Sequence, residues 1–482
     1  MSALVVIAFP STASARVSGP PRIIAHRAGE RRAALGEIVG VAENHVVAPA
    51  ALYAALAKVQ RAVPSFSRQT GLACSACHYQ FPALTPFGRQ FKLNGYTLSG
   101  MPGIVQAGDS AGKESLRLAS IPPMSAMIVA SVTQTRAAQP GAQNWTTAFP
   151  DQFSLFVAGA ITPHVGAFTQ FTYAASDGAI GIDNVDIRYA NRTTLSDREL
   201  IYGLTLHNNP TVQDVWNTVP AWGFPFMSSS SAPSSIAGTL IDGTLGQQVV
   251  GLGAYSLYDR LLYTELTAYR SSPQGMTMPL DTSAQDVVSK VIPYWRIALQ
   301  HETPNTSLML GTFGFDAHLF PVGVSGPRDH YTDVAIDGHV ERRHGRAAWI
   351  ARASVIHEHQ DLVATETAGG AASADHTLWT TRASLAWLPN LRHGVTVGWF
   401  QTTGTSDALL YAPAEQTGSR TGSPNTRGAI GEVTWNPWQN ARLGVQYVYY
   451  NRFNGAASAY DVDGGRSAGD NSTLYLYLWT AF

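Results

Sequence analysis

The stretch Leu474-Tyr-Leu-Tyr-Leu-Trp-Thr-Ala-Phe482 stands at the end of the chain and carries the pattern that decides the fold. Every second side chain from Leu474 to Phe482 is apolar, with Thr480 as the one interruption. Successive side chains of a β-strand point to opposite faces, so this spacing puts the leucines and the final phenylalanine on the same face. The stretch therefore predicts a strand with one apolar face.

The same alternation recurs through the chain from about residue 124 onward. Val185, Ile187 and Tyr189 alternate with the charged residues Asp186 and Arg188. Further apolar rows run through residues 200–206 and 347–355, and both are interleaved with polar side chains. Segments of about ten residues with one apolar and one polar face are typical of strands that cross a membrane as a barrel.

The connections between these segments alternate between short and long. Short links recur at residues 161–164, 258–260, 303–305, 343–345, 389–391 and 436–439. Long polar loops lie between them at residues 209–246, 272–289, 317–332, 360–377, 404–427 and 452–471. This asymmetry predicts a mainly β fold, with an antiparallel transmembrane β-barrel of approximately 16 strands over residues 120–482. The alternative is a soluble β-sandwich or barrel, whose strands alternate in the same way.

Composition excludes two other classes of protein. Only 13% of the residues are charged and the net charge is -1, so the chain has no excess of positive charge for binding nucleic acid. No stretch approaches the roughly 20 consecutive apolar residues that a membrane-spanning helix needs. We expect membrane lipid, and not nucleic acid, as a partner.

The N-terminus resembles an export signal. An apolar run at residues 3–9 is followed by the small residues Ala13, Ser14 and Ala15, although the usual basic start is missing. We expect a signal peptide at residues 1–15 and an extension or linker at residues 16–63. Cleavage near residue 57, after a second apolar run at 46–57, is the alternative.

The chemistry of the chain is concentrated in Cys74-Ser-Ala-Cys-His78, which contains both cysteines of the protein. A Cys-x-x-Cys-His run predicts covalent attachment of haem c, because the two thiols can form thioethers while the histidine binds the iron. We therefore expect a small c-type haem domain at residues 64–115, with Cys74, Cys77 and His78 as its binding residues. A thioredoxin-like redox pair or a plain disulfide is the alternative for the two cysteines.

The run from Pro64 to Tyr96, followed by a barrel whose final hairpin includes residues 435–447, resembles the fused monohaem cytochrome-porins of iron-oxidising bacteria, the outer-membrane iron oxidases. The resemblance implies an iron(II) oxidoreductase of the bacterial outer membrane, with its haem on the periplasmic side or within the barrel. It implies Fe(II) as the extracellular electron donor and a periplasmic c-type cytochrome or copper protein as the acceptor. The terminal Phe482 resembles the signal read by the outer-membrane assembly machinery.

The second axial ligand of the haem iron is less constrained. Met101 is the nearest methionine after the motif, and a methionine ligand raises the haem potential, which suits a weak reductant such as Fe(II). Met101 is therefore the candidate distal ligand, and Met124, Met127 and His45 are its competitors.

Further residues have expected roles near the haem or near the long loops. Aromatic side chains near the motif are expected to pack a dry haem pocket, namely Phe66, Phe81, Phe87, Phe91 and Tyr96. Nearby basic residues are expected to bind either the haem propionates or the barrel wall, namely Arg68, Arg89 and Lys92. Candidate iron ligands near the long loops are Asp316, His318, His357, Glu358 and His359, although a solvated loop face is the favoured interpretation of the last three.

Two other functions stay open: a porin-cytochrome for another extracellular donor, and a passive solute porin without haem.

Overall fold

The computed structural model describes residues 64–98, 101, 106–108, 114–116, 123–175, 178–219, 223–271 and 287–482, and these residues belong to one compact unit. The expected signal peptide and the extension at residues 16–63 lie outside the described residues, as does His45. None of the helices in these ranges is long and apolar enough to cross a membrane.

A compact segment precedes the barrel, and we call residues 64–98 the N-terminal segment. Its elements are α1 (Ser65–Thr70), α2 (Cys74–Cys77), β1 (His78–Gln80), β2 (Ala83–Leu84) and α3 (Pro86–Leu93). Helix α3 begins where the Thr85 side chain accepts a hydrogen bond from the backbone N–H of Gly88, with Pro86 at the first helical position. A short hairpin, β3 (Gln106–Gly108) and β4 (Glu114–Leu116), follows.

The remaining chain is almost entirely strand. The strands are β5 (Met124–Thr135), β6 (Thr146–Thr162), β7 (Val165–Ala174), β8 (Ala179–Leu195), β9 (Arg198–His207), β10 (Val249–Tyr258), β11 (Leu262–Ser271), β12 (Val287–Val288), β13 (Ile292–Glu302), β14 (Thr306–Phe320), β15 (Asp329–His344), β16 (Ala347–Asp361), β17 (Asp375–Asn390), β18 (His393–Gly404), β19 (Thr426–Trp438), β20 (Ala441–Arg452) and β21 (Thr473–Ala481). Short helical turns occur at Leu240–Thr244, at α4 (Val363–Thr367) and at Ala468–Asn471.

These strands form a closed antiparallel barrel. The last strand, β21, pairs with the first barrel strand, β5, with Leu476 opposite Val132, so the sheet has no open edge. The wall consists of β5 to β11 and β13 to β21, while the two-residue β12 pairs with β14 beside it. This confirms the predicted barrel of 16 strands.

The two faces of the wall differ as the alternation predicted. Leu204, Leu266 and Ile336 are exposed on the outer face, whereas Asp186 and Arg188 are fully buried on the inner face. A broad exposed apolar band around a closed sheet is the surface that lipid covers, and it does not suit a soluble β-sandwich. The barrel is of the outer-membrane type, with its apolar band in contact with lipid.

The predicted short turns lie at one end of the barrel, and a four-residue connection from β7 to β8 lies at the other. The structure corrects two of the predicted loops. An additional short turn joins β8 to β9 at Ser196 and Asp197. Strands β14 to β17 continue beyond the apolar band, so the loops expected at residues 317–332 and 360–377 shorten to 321–328 and 362–374. The reason is that backbone pairing persists between polar residues at the rim, such as His318 with His330.

The described part of the long connection between β9 and β10 folds into the lumen, and we call residues 208–219 and 223–248 the inner loop. Its backbone meets inward-facing side chains on distant strands: Ile241 N–H donates to Asp333 Oδ2 (2.9 Å) and Arg352 Nε donates to Trp216 O (3.1 Å). Gln446 Nε2, on β20, donates to Met227 O (2.8 Å). The inner loop therefore spans the lumen and buries the charges of the inner wall.

Leu266 and Val322 provide a matched test of which surface meets lipid. Leu266 lies within β11 and is 69% exposed, whereas Val322 lies in the loop after β14 and is 59% exposed. Leu266→Arg should lower the free energy of unfolding by about 2–4 kcal/mol, because an arginine there must enter hydrocarbon. Val322→Arg should change it by less than about 0.5 kcal/mol. Denaturant titration in lipid vesicles measures both, and equal effects would contradict the assigned band.

Candidate functional site

The N-terminal segment lies inside the barrel at the short-turn end. In α1, Ser65 Oγ and Gln69 Nε2 both donate to Ala158 O, at 2.7 and 2.8 Å. At the other end of the segment, Arg192 Nε donates to Asn94 Oδ1 (3.1 Å). Because Ala158 and Arg192 each lie within a few residues of a short turn, the segment is held close to that rim.

Arg89 of α3 fixes the segment to the inner wall through a buried ionic network. Its Nη1 lies 2.6 Å from Glu341 Oε1, and its Nη2 donates to Ser307 Oγ at 2.8 Å. Glu302 Oε1 lies 3.4 Å away, and Tyr79 Oη donates to Glu341 Oε2 at 3.1 Å. Of the two readings of Arg89, the structure therefore supports contact with the barrel wall.

The two cysteines occupy the ends of the single helical turn α2, and both are half-buried free thiols. Thr85 connects this turn to α3: its N–H donates to Cys77 O (2.9 Å) and its Oγ1 donates to Ala76 O (2.6 Å). Burial and the neighbouring Cys74 raise the pKa of Cys77 to about 11, and burial also raises the pKa of Cys74. Thiols with raised pKa values do not suit a thioredoxin-like redox pair, which needs a stabilised thiolate.

His78 follows directly and has a defined tautomer. Its Nδ1 lies 3.2 Å from Pro82 O, and because a carbonyl can only accept, Nδ1 carries the proton. Nε2 is then the unprotonated nitrogen. Burial lowers the pKa of His78 to about 4, an effect opposed by the Pro82 hydrogen bond and reinforced by Arg442. The imidazole is therefore neutral near pH 7, the form that binds a metal.

Cys74, Cys77 and His78 line one cavity between the N-terminal segment and the barrel wall. Its volume is about 1610 Å³, including the part open to solvent. The lining is mainly apolar, and its aromatic rings come from the segment and the wall alike: Phe66, Tyr79, Phe81, Phe91, Tyr96, Phe156, Phe168 and Trp479. Phe81 stacks on Trp479, with 5.3 Å between the ring centroids, and its ring lies 5.4 Å from that of His78. Phe87, also expected in the pocket, is instead 38% exposed and does not line the cavity.

These residues fit a haem group on three counts. Two thiols and one neutral imidazole with an unprotonated Nε2 face the same space, and that space has apolar, aromatic walls. The proton on Nδ1 is held by a backbone carbonyl, the usual way in which proteins orient a metal-binding histidine.

The described candidates for the distal ligand lie outside the cavity lining. Met101, Met124 and Met127 are all described, and none of them lines the cavity. The Met101 N–H donates to Leu98 O (3.0 Å). Met101 as the distal ligand stays a prediction.

Two basic side chains line the cavity, Lys92 and Arg442. Lys92 also donates to Val212 O of the inner loop and lies 3.9 Å from Asp186 on the wall, whereas its binding of the haem propionates stays a prediction. Arg68 is directed away, towards Met124 O. Arg442 is not among the residues expected from the sequence, although its position just after a short turn, on the face opposite Leu443, is typical of an inward-facing charge.

The candidate iron ligands divide into two groups at the long-loop rim. Asp316 and His318 lie together and are joined by His330, which the sequence argument missed. Glu358 points inward and accepts a hydrogen bond from Leu240 N–H, whereas His357 and His359 occupy the opposite face of the same strand. Residues 357–359 therefore form no common site.

Gly88 provides a test of how α3 positions the cysteine turn. A Cβ at this position would overlap the carbonyl oxygen of Cys77, since α3 packs directly against that backbone. Gly88→Val should displace the turn and reduce covalent haem content at least tenfold, while barrel assembly continues. Haem staining of denaturing gels, normalised to protein, measures this. Gly431→Val is the control, since a Cβ there meets nothing within 4 Å and the backbone is not left-handed, and equal haem loss in both variants would contradict this role of Gly88.

No family model matches this chain, and no curated protein matches it. Among solved structures, the chain is similar to the outer-membrane channel DcaP of Acinetobacter baumannii, with 11% identity and a TM-score of 0.43 over 74% of this chain and 96% of that one. It is also similar to Salmonella typhi OmpF in complex with daunomycin, with 9% identity and a TM-score of 0.42 over 74% of this chain and 97% of that one. A third is the anion-selective porin from Comamonas acidovorans, with 9% identity and a TM-score of 0.41 over 74% and 98%. The barrel is established by the strand order and registers of this chain, independently of these similarities.

Proposed function

We propose that this protein is an outer-membrane cytochrome that oxidises extracellular Fe(II) and passes single electrons through one haem c to a periplasmic carrier. The observation that carries the proposal is the convergence of Cys74, Cys77 and the neutral His78 on one apolar cavity at the short-turn end of the barrel. Short turns face the periplasm in outer-membrane barrels, so that cavity is accessible to a periplasmic c-type cytochrome or copper protein.

The residues around the cavity suit a haem of this kind. Cys74 and Cys77 would hold it as thioethers, and His78 would bind its iron. When bound, haem c supplies a one-electron redox centre. The mainly apolar lining limits contact of a bound haem with water, and a dry surrounding disfavours the added positive charge of the oxidised state. Lys92 and Arg442 offer positive charge for the haem carboxylates.

Location in the outer membrane also suits the oxidation of Fe(II). Each Fe(II) gives up one electron and becomes Fe(III), which precipitates at neutral pH. Oxidation on the outer side keeps the insoluble product outside while only the electron moves inward. Iron as the donor rests on the resemblance of residues 64–96 to iron oxidases, and another extracellular donor is the first alternative.

The filled lumen favours electron transfer over solute passage. Charged groups that would line an open pore are buried instead, including Arg296, Asp333, Asp337 and Glu358. The inner loop contacts several of them, as when Thr218 Oγ1 donates to Asp337 and Leu240 N–H donates to Glu358. A passive solute porin without haem is the second alternative, and it requires water-filled space where these groups are packed.

One experiment separates the three proposals. Full-length protein is purified from outer membranes, its haem is measured as the pyridine complex, and Fe(II) is added without oxygen while the haem spectrum is followed. Covalent haem that Fe(II) reduces supports the iron oxidase. Haem that stays oxidised with excess Fe(II) but is reduced by another donor supports the first alternative. Absence of haem, together with stable ion conductance in planar bilayers, supports the porin.

A further inference from the structure

A cluster of metal-binding side chains lies outside the cavity, at the long-loop rim of the barrel. Asp316 and His318 on β14 and His330 on β15 form the one group of three such residues found among the described residues. His330 Nε2 lies 2.6 Å from Asp316 Oδ2, and His318 Nε2 lies 3.6 Å from Asp316 Oδ1. The ligand atoms of all three lie within 4.8 Å of one another.

The strand register explains why the three side chains meet. His318 and His330 are directly opposite each other across β14 and β15, and their rings stack with centroids 4.2 Å apart at 10°. Asp316 is two residues from His318 and therefore on the same face. Both imidazoles present Nε2 to one carboxylate, so the pairing of the strands assembles the group without help from a loop.

Two histidines and one carboxylate form the ligand set that suits Fe(II) and related divalent ions of the first transition series, with open positions left for water. The hydrogen bond between His330 and Asp316 must open for the ion to enter. That requires only side-chain rotation, since both residues lie on the outer face of the barrel.

The cluster is accessible from outside. The side chains of His318, His330 and Asp316 are 26%, 33% and 46% exposed. Apolar outward residues such as Val334 and Ile336 follow His330 towards the membrane. On the neighbouring strands the ring of Trp379 lies 4.3 Å from that of His357, and aromatic rings are typical of the level where lipid meets water. The cluster therefore lies just beyond the apolar band, on the long-loop side that faces outward.

Nearby charges moderate the site. The positive charges of Lys290 and Arg328 act on His318 and oppose a cation, whereas Asp316 favours one. Ser307, the contact of Arg89 beside the cavity, is nine residues along β14 from Asp316, or roughly 30 Å. The cluster is therefore separate from the cavity, and the exposure of its side chains suits exchange of the ion with solution.

We propose that Asp316, His318 and His330 bind one divalent first-row transition-metal ion, exchangeably, on the outer face of the barrel. If the proposed function holds, the ion presented there is Fe(II), and the site collects this substrate at the cell surface.

Cobalt(II) is the probe, because it favours the same ligands and can be counted apart from haem iron. Full-length protein without a polyhistidine tag is dialysed against Co(II), and bound cobalt is measured per chain by mass spectrometry. We expect one saturable ion per chain, with at least tenfold weaker binding in the His318→Ala/His330→Ala double variant and in Asp316→Asn. His344→Ala is the matched control, since His344 lies at the opposite end of β15 and should bind cobalt as the wild type does.

The outcome separates this site from the haem. Wild-type binding no stronger than that of the double variant, with both proteins migrating as folded barrels, overturns the proposal. Saturable cobalt binding that depends on the three residues supports it, whether or not Fe(II) reduces the haem. Haem reduction is measured on the same samples, so failure of the iron-oxidase proposal appears there and leaves the cobalt result unaffected.

Discussion

Replacing both Cys74 and Cys77 by serine should produce a chain that assembles as a barrel and carries no covalently bound haem. Serine hydroxyls do not form the thioethers that attach haem c, so covalent haem should fall below detection in stained denaturing gels. His78→Ala should likewise abolish Fe(II)-dependent reduction, because it removes the imidazole that lines the cavity.

The barrel should tolerate these changes for a structural reason. The side chains of Cys74, Cys77 and His78 face the cavity, whereas the sheet closes through the pairing of β21 with β5. Ser75→Ala is the control, since Ser75 lines the same cavity and provides neither a thioether nor an axial ligand. Covalent haem in the double serine variant, or turnover with Fe(II) in His78→Ala, would refute the proposed route.

Arg89→Ala should release the N-terminal segment from the barrel wall. The change leaves Glu341 buried without its closest cation, and breaking a buried ion pair in this way costs about 3–5 kcal/mol. Because Tyr79 and His339 remain as partners of Glu341, we expect the loss of stability to lie near the lower end of that range. We expect protease to cleave rapidly between residues 64 and 98 while the strands stay resistant. Mass spectrometry of the fragments identifies the cleavage sites.

A double variant distinguishes loss of the pair from loss of packing. Arg89→Met with Glu341→Gln removes both charges and keeps most of the side-chain volume, so it should recover most of the protease resistance. Resistance in Arg89→Ala equal to that of the wild type would contradict the role assigned to this network.

The candidate site was only partly within reach of sequence reasoning. The Cys-x-x-Cys-His run is a local motif, so the sequence alone predicts Cys74, Cys77 and His78 as haem-binding residues. The roles of Arg89 and Arg442 were not predictable in the same way, because their partners lie far along the chain; Glu341 is 252 residues from Arg89. His330 escaped notice because its link to His318 exists only through the register of β14 and β15.

The sequence by itself determined the class of fold. Alternation with a period of two, short turns against long loops, and the apolar row from Leu474 to Phe482 are local properties, and they were enough to predict a closed barrel of about 16 strands. Only the tertiary structure decided what fills that barrel. The inward folding of the inner loop, the docking of residues 64–98 and the meeting of Asp316, His318 and His330 all depend on closure and register, which bring together side chains that no local pattern relates.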